Sequence, residues 1–198
     1  MDKRITTEVN RYDRDQCIFF RKTSEAFGGL SNMCAGFVIE VGNYSFLTTE
    51  ALYQAFRFNE EEIQQIIMDE KSPMAAKMKS KKYRVTTRED WDGVRIDIME
   101  WCLRMKLKCN WQSFSTLLLS TADRKIVEES HKDKFWGTVS EDAQVLAGKN
   151  ILGKLLMKIR EEIRDEKLSN SQDIKFKRIS NLMLFGEDAN SLTPDNRI

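Results

Sequence analysis

Apolar positions along this chain follow two rhythms, and the shorter one comes first. "CIFFR" (17–21) is a β-branched and aromatic run that predicts a strand. "GFVIEVGNYSFL" (36–47) reads as a hairpin turning at its "GN". From residue 48 the spacing becomes helical. Thr48 and Thr49 are capping residues for a helix from Glu50 to about Asn59, with Leu52, Ala55, Phe56 and Phe58 facing a core. A second helix follows over 60–69. A third starts at Ser72, a cap residue, with Pro73 at the first helical position. Over 88–110, Trp91, Val94, Ile98, Trp101 or Cys102, and Met105 recur at helical spacing, which makes this the longest helix and a central one. Trp111, Phe114, Leu117 and Leu118 mark another helix over 111–121. "KIVEES" (125–130) is a strand candidate. Ile151, Leu155, Ile159 and Ile163 line one face of a helix over 150–167. The pattern predicts a mainly α, multihelical fold with a few short β-strands in a single compact domain.

The two ends carry less pattern. Residues 1–16 read as a flexible N-terminal arm, 17–167 as the folded domain and 168–198 as a C-terminal extension of unknown role. Within that extension "IKFKRISNLMLF" fits a strand or a peripheral helix, and "GEDANSLTPDNRI" reads as disordered. There is no internal repeat. No βαβ alternation occurs, and no glycine-rich loop leads from a strand into a helix, so dinucleotide-fold and P-loop readings are excluded.

Composition narrows the class of partner. Hydrophobic residues make up 41% of the 198, enough for a globular core. The 32 Lys+Arg against 31 Asp+Glu leave a net charge of +1, so global charge argues for neither nucleic-acid steering nor a membrane surface. A phosphate-binding patch must therefore be local. Cys17, Cys34, Cys102 and Cys109 form no CxxC pair, and His131 is the sole histidine, so no metal is expected. No cofactor is indicated either. Free thiols fit a reducing compartment, the cytosol. The polar start "MDKRITTEVNRYDRDQ" is no signal peptide, and no apolar run approaches the ~20 residues of a membrane helix.

Four stretches mix reactive groups with aromatics. Glu50 lies in a first helical turn, where a carboxylate commonly only complements the helix dipole. Tyr53 and Gln54, three and four residues on, would give that face an acid, a phenol and an amide, a set with chemical use. Asn32 follows a glycine turn and is either a local backbone cap or a reader of sugar hydroxyls. Lys77 opens the basic run "KMKSKKYR" (77–84), a solvated face in the ordinary case, a phosphate binder or amine nucleophile otherwise. "DKFWGT" (133–138) is a strand end with a buried Trp136, or a stacking platform beside Asp133. Glu50 and Asp133 together would make the carboxylate pair of glycosidic chemistry.

These blocks, in this order, resemble the NADAR family, also called YbiA-like N-glycosidases: "FGGLSNM", "TTEALYQAFRF", "SPMAAK", "DKFWGT" and "NILGKLLMKIR", spanning roughly 17–165. The family often has His where Ala51 stands and Lys where Arg57 stands, and its glycine-rich stretch is reduced here to "AGKNILG". The resemblance implies cleavage of a bond between a ribose carbon and an exocyclic amine. The substrates it implies are ADP-ribosylated guanine in nucleic acid or phosphoribosylamino-pyrimidine intermediates of riboflavin synthesis. It implies Glu50, Lys77 and Asp133 as catalytic groups. Phe27, Gly28, Ser31, Asn32, Tyr53, Gln54, Phe135, Trp136, Gly137 and Asn150 would form the substrate-binding set. Lys77 would either bind phosphate or, if desolvated, attack a ring-opened sugar as an amine. The alternative is a non-catalytic ADP-ribose or nucleotide-binding module on the same fold.

Overall fold

The structure, a computed structural model, describes residues 5–192. In chain order its strands are β1 (Asn10–Asp13), β2 (Cys17–Phe20), β3 (Ile39–Val41), β4 (Tyr44–Phe46), β5 (Lys125–Glu128), β6 (Val139–Ser140), β7 (Val145–Gly148), β8 (Met183–Leu184) and β9 (Glu187–Asp188). The helices are α1 (Thr49–Ala55), α2 (Glu61–Met68), α3 (Pro73–Lys82), α4 (Trp91–Cys109), α5 (Trp111–Ser120) and α6 (Ile151–Arg164). The expected mainly helical architecture is present, with every predicted helix found. α1 is shorter than its pattern. The helix stops at Ala55, while Phe56 and Phe58 remain buried in the irregular turn that follows.

The chain groups into two compact units, each assembled from two segments distant in sequence: residues up to Ser31 with Gln112–Ser169, and Asn32–Trp111 with the chain from Asn170. In the first unit, β2 pairs parallel with β5 in the register Cys17↔Lys125 to Phe20↔Glu128. The apolar stripe of α6 packs over β5. β7 is the middle strand of a sheet ordered β1-β7-β6. Residues 10–13, expected in a flexible arm, are thus paired: Asn10↔Gly148 through Asp13↔Val145. Burial explains it, because Tyr12 packs with Cys17, Val127 and Leu146. "NRYD" shows no run of apolar residues to reveal this.

In the second unit α4 is central, as its pattern predicts. Ile98, Met99, Trp101, Cys102, Leu103, Met105 and Leu107 are all nearly inaccessible. α1 packs against α2, α3 and α4, and the β3–β4 hairpin lies against α4. The C-terminal extension belongs to this core. Ile174, Ile179, Leu182, Leu184 and Ala189 are buried, and Phe176 sits 5.3 Å from the Trp101 ring. Over 186–192 the expected disorder is not what the structure holds. β8 and β9 make a hairpin through Phe185 and Gly186, whose φ of 49° and 77° suit a two-residue turn of the twist that strands favour. Gln64, fully buried, secures it: Nε2 donates to the Phe58 and Met183 carbonyls, and Oε1 accepts from the Phe185 N–H at 2.6 Å. The last six residues of the extension lie outside the described residues.

Candidate functional site

The second unit holds the acid, amide and lysine together. Thr48 caps α1 by accepting the Ala51 N–H at 3.2 Å, which fixes Glu50 in the first turn. The Glu50 N–H donates to the Asn32 carbonyl at 3.0 Å, tying that turn to the "LSN" loop. Glu50 is only 5% exposed. Gln54 Nε2, one turn on, donates to Glu50 Oε1 at 2.9 Å, and Lys77 Nζ lies 3.5 Å from the same oxygen. Lys77 comes from α3, whose start is set as the sequence predicts: Ser72 Oγ accepts the Ala75 N–H, and Pro73 occupies the first turn. Ser80 Oγ stands 2.7 Å from Gln54 Oε1 and 2.9 Å from the Lys77 carbonyl, with one proton to place between two acceptors. The amide of Gln54 is thereby oriented, its NH₂ toward the carboxylate.

The remaining sequence candidates of this unit divide. Asn32 is buried, with Nδ2 3.0 Å from Met99 Sδ and Oδ1 without a hydrogen-bond partner. An orphaned buried acceptor costs about 1–3 kcal/mol, so it is a position at which a donor would be welcomed. Tyr53 does not share the Glu50–Gln54 face: its ring packs 5.0 Å from Trp91, and burial, with the Glu50 charge adding to it, pushes its phenol well above the ordinary range. The Lys77 side chain is 42% exposed along its length, while its Nζ lies against the buried Glu50 carboxylate.

The first unit holds the other candidates. "DKFWGT" is a turn, and Trp136 is half-buried, so the strand-end reading with a buried ring does not hold. Asp133 builds this turn: its Oδ1 accepts the N–H groups of both Phe135 and Trp136 at 2.9 Å. The two rings meet edge to face with centroids 5.1 Å apart, and Lys149 Nζ lies 5.4 Å from the Phe135 centroid. The carbonyls of Lys134, Gly137, Phe135 and Trp136 then accept the N–H groups of Lys149, Asn150, Ile151 and Leu152. They satisfy donors that a helix start otherwise leaves orphaned. Gly137 is required by a close approach, because a Cβ there would stand 2.7 Å from the Glu128 carbonyl oxygen. Asn150, expected to touch substrate, is fully buried at φ 50°. Its Nδ2 donates to the Ile126 carbonyl and its Oδ1 accepts the Glu128 N–H, so its carboxamide is committed to β5. Phe27 is half-buried, and Gly28 and Ser31 are buried, at a 3₁₀ turn of residues 28–30.

Comparison with known proteins decides the family. The NADAR domain matches residues 18–164. The chain belongs to the NADAR family. It is 34% identical to "N-glycosidase YbiA" of Escherichia coli (strain K12) over 154 residues, 78% of this chain and 92% of that one. It is 32% identical to "N-glycosidase Npun_R5314" of Nostoc punctiforme over 151 residues, covering 75% of this chain and 93% of that one. The NMR structure of the Escherichia coli YbiA protein superposes with a TM-score of 0.66 at 33% identity, over 80% of this chain and 94% of that one. NADAR membership places the chain among enzymes that hydrolyse N-glycosyl bonds. The family match spans all five blocks and stops short of the extension that completes the core of the second unit.

Two further side chains, one at the site and one buried elsewhere in the second unit, were not read from the sequence. Ser80, which orients Gln54, lies three residues after Lys77 and could have been placed by counting helical turns from Pro73. Lys106 is fully buried on α4, its Nζ 4.4 Å from the Phe37 centroid, and burial pushes its amine down to about 7. A lysine among the apolar positions of the longest helix was its only signal. Among the described residues no group of three or more His, Cys, Asp or Glu is arranged to hold a metal, and no helix is long and apolar enough to cross a membrane.

Proposed function

We propose that this chain is an N-glycosidase acting on a bond between a ribose anomeric carbon and an exocyclic amine, with Glu50 as its acid–base group and Lys77 as its partner. The observation that carries this reading is the buried Glu50 carboxylate held by Gln54 and approached by Lys77 at 3.5 Å. Such a pair can move protons in both directions needed for hydrolysis. A water adds its oxygen to the anomeric carbon and gives a proton to Glu50. The carbon–nitrogen bond breaks, and the leaving amine takes a proton from the Lys77 ammonium. Glu50 returns its proton to Lys77, and the site is reset. The transition state is oxocarbenium-like, as for other glycosidic cleavages, and an anionic carboxylate beside it is stabilising.

The substrate is a nucleotide sugar: ADP-ribosylated guanine or a phosphoribosylamino-pyrimidine. The second is supported by the name of a relative, "Riboflavin biosynthesis protein VVA0006" of Vibrio vulnificus, 31% identical over 153 residues, 76% of this chain but 40% of that one, and the first rests on the family resemblance. In the first unit, Phe135 and Trp136 form a half-buried aromatic pair whose turn Asp133 holds in shape, and a role for that pair in holding a planar base is tested by itself, through the product affinity of Trp136→Ala. Offering both substrates separately and measuring released ADP-ribose or sugar phosphate tests the reading; no release from either overturns it. Borohydride added during turnover separates the routes. A covalent sugar adduct on Lys77 would replace the water mechanism by the imine one.

A further inference from the structure

We propose that α3 presents a docking surface for the phosphodiester backbone of single-stranded nucleic acid, which leads the strand toward Lys77 and Glu50; the direction of that path rests on the N-glycosidase reading. Residues 71–84 hold six basic side chains (Lys71, Lys77, Lys79, Lys81, Lys82 and Arg84) and no acid, in a chain whose net charge is only +1. Of these, Lys79 is neutralised by Glu70 at 3.3 Å and Lys77 pairs with Glu50. Lys71, Lys81, Lys82 and Arg84 are exposed and form no ion pair among the described residues. An ordinary solvated face looks different. The end of α6, "KIREEIRDEK", alternates in sign and is crossed by ion pairs such as Arg160–Glu161 and Arg164–Asp123.

The same face of α3 is also apolar. Met74 and Met78 are 58% and 52% exposed and fall at i and i+4, and Val85, 95% exposed, follows in the 3₁₀ turn of residues 84–86 after the helix has ended. Lys77 and Lys81 complete that stripe at i+3 and i+7, with Lys81 Nζ 3.6 Å from Met78 Sδ. The opposite face is the packed one, through Ala76 and Ser80. The stripe therefore begins beside the Glu50 carboxylate and runs outward for two turns, offering cations to phosphates and polarizable methionine surface to unstacked bases. A bilayer is a poorer match. The stripe has two exposed apolar side chains, Met74 and Met78, and lacks the Trp, Phe and Leu by which interfacial helices bury themselves. A polyanion with apolar bases meets both features at once.

The test is fluorescence anisotropy of a labelled, unmodified single-stranded oligonucleotide with the full chain, titrated across salt concentrations. Each phosphate contact on a single strand contributes about 0.7 to the slope of log K against log salt. Replacing Lys81, Lys82 and Arg84 together by Ala is expected to weaken binding and flatten that slope by about 2, with the unfolding midpoint retained. Should that triple variant not fold, Lys81→Gln alone is expected to flatten it by about 0.7. An unchanged slope in a folded variant overturns the proposal. So does a wild-type chain that ignores the oligonucleotide and binds vesicles of anionic phospholipid, or one from which inorganic pyrophosphate displaces the strand at equal phosphate concentration. Hydrolysis is measured separately, on a guanine-ADP-ribosylated oligonucleotide and on a phosphoribosylamino-pyrimidine. Strand binding through α3 without hydrolysis sinks the glycosidase reading and supports the surface; hydrolysis with an α3-independent strand sinks the surface alone.

Discussion

Glu50 and Asp133 are both carboxylates beside aromatic and small residues, yet the fold uses them oppositely. Glu50 meets side chains: Gln54 from its own helix and Lys77 from α3. Asp133 meets main chain: the amides of Phe135 and Trp136. A carboxylate whose Oδ1 takes two N–H groups of its own turn has a structural role as an acceptor. A carboxylate held by an amide and a cation can exchange a proton without unfolding anything. On the proposed reading, the partner class, more than burial or residue type, separates chemistry from scaffold.

The sharpest way to break that contrast is at Glu50. Glu50→Gln retains shape and an acceptor for Gln54 but cannot take a proton. A positioned acid–base group contributes ~100- to 10,000-fold, so turnover is expected to fall by that factor while the unfolding midpoint holds. Near-normal turnover in a steady-state assay would reduce Glu50 to a first-turn helix residue. Asn150 tests the scaffold side. Asn150→Ala orphans the Ile126 carbonyl and the Glu128 N–H, each costing about 1–3 kcal/mol. It also puts Ala at φ 50°, a further cost of about 1–2 kcal/mol. A stability loss of roughly 3–8 kcal/mol in denaturant titration is expected. A stable variant that merely binds product poorly would return Asn150 to the substrate.

Trp136 lies between the two cases, presented by the scaffold for use by a ligand. It is half-buried, so Trp136→Ala should leave the chain folded. Loss of a stacked base is worth ~1–3 kcal/mol, or about 5- to 150-fold in product Kd by titration calorimetry. Unchanged affinity in a folded variant would end the stacking role, and a collapse of the unfolding midpoint would make the ring a core residue.

How much of this was legible follows the physics of each element. The helices were, because long apolar stripes at period 3.6 and a Ser72–Pro73 start leave few alternatives. β1, β6, β7 and β9 were not, and β8 fell in a stretch that fits a strand or a helix, since strands of two to four residues carry too few side chains to show a period of two. The tail hairpin hid for another reason. Its turn is Phe-Gly rather than Asn-Gly, and its stability comes from Gln64, more than a hundred residues earlier in the chain. In the site, the blocks were visible but their roles were not. Nothing in "TTEALYQ" says that Tyr53 turns to Trp91 while Gln54 turns to Glu50, because both lie within one helical turn of the acid.

Asp133 gives the smallest expected effect and the finest test of the contrast. Asp133→Asn keeps an Oδ1 that can accept from Phe135 and Trp136, so the turn, the α6 start and the ring pair should persist. Turnover close to wild type is then expected, where an acid–base group would lose ~100-fold or more. Asp133→Ala removes the acceptor and leaves two N–H groups to solvent, with a loss of about 1 kcal/mol in stability. It is also expected to weaken product binding through the displaced Trp136. The order Asp ≈ Asn > Ala in both stability and affinity marks a turn-builder. The order Asp ≫ Asn ≈ Ala in turnover, with stability equal in all three, would make Asp133 the second catalytic carboxylate and erase the distinction between the two regions.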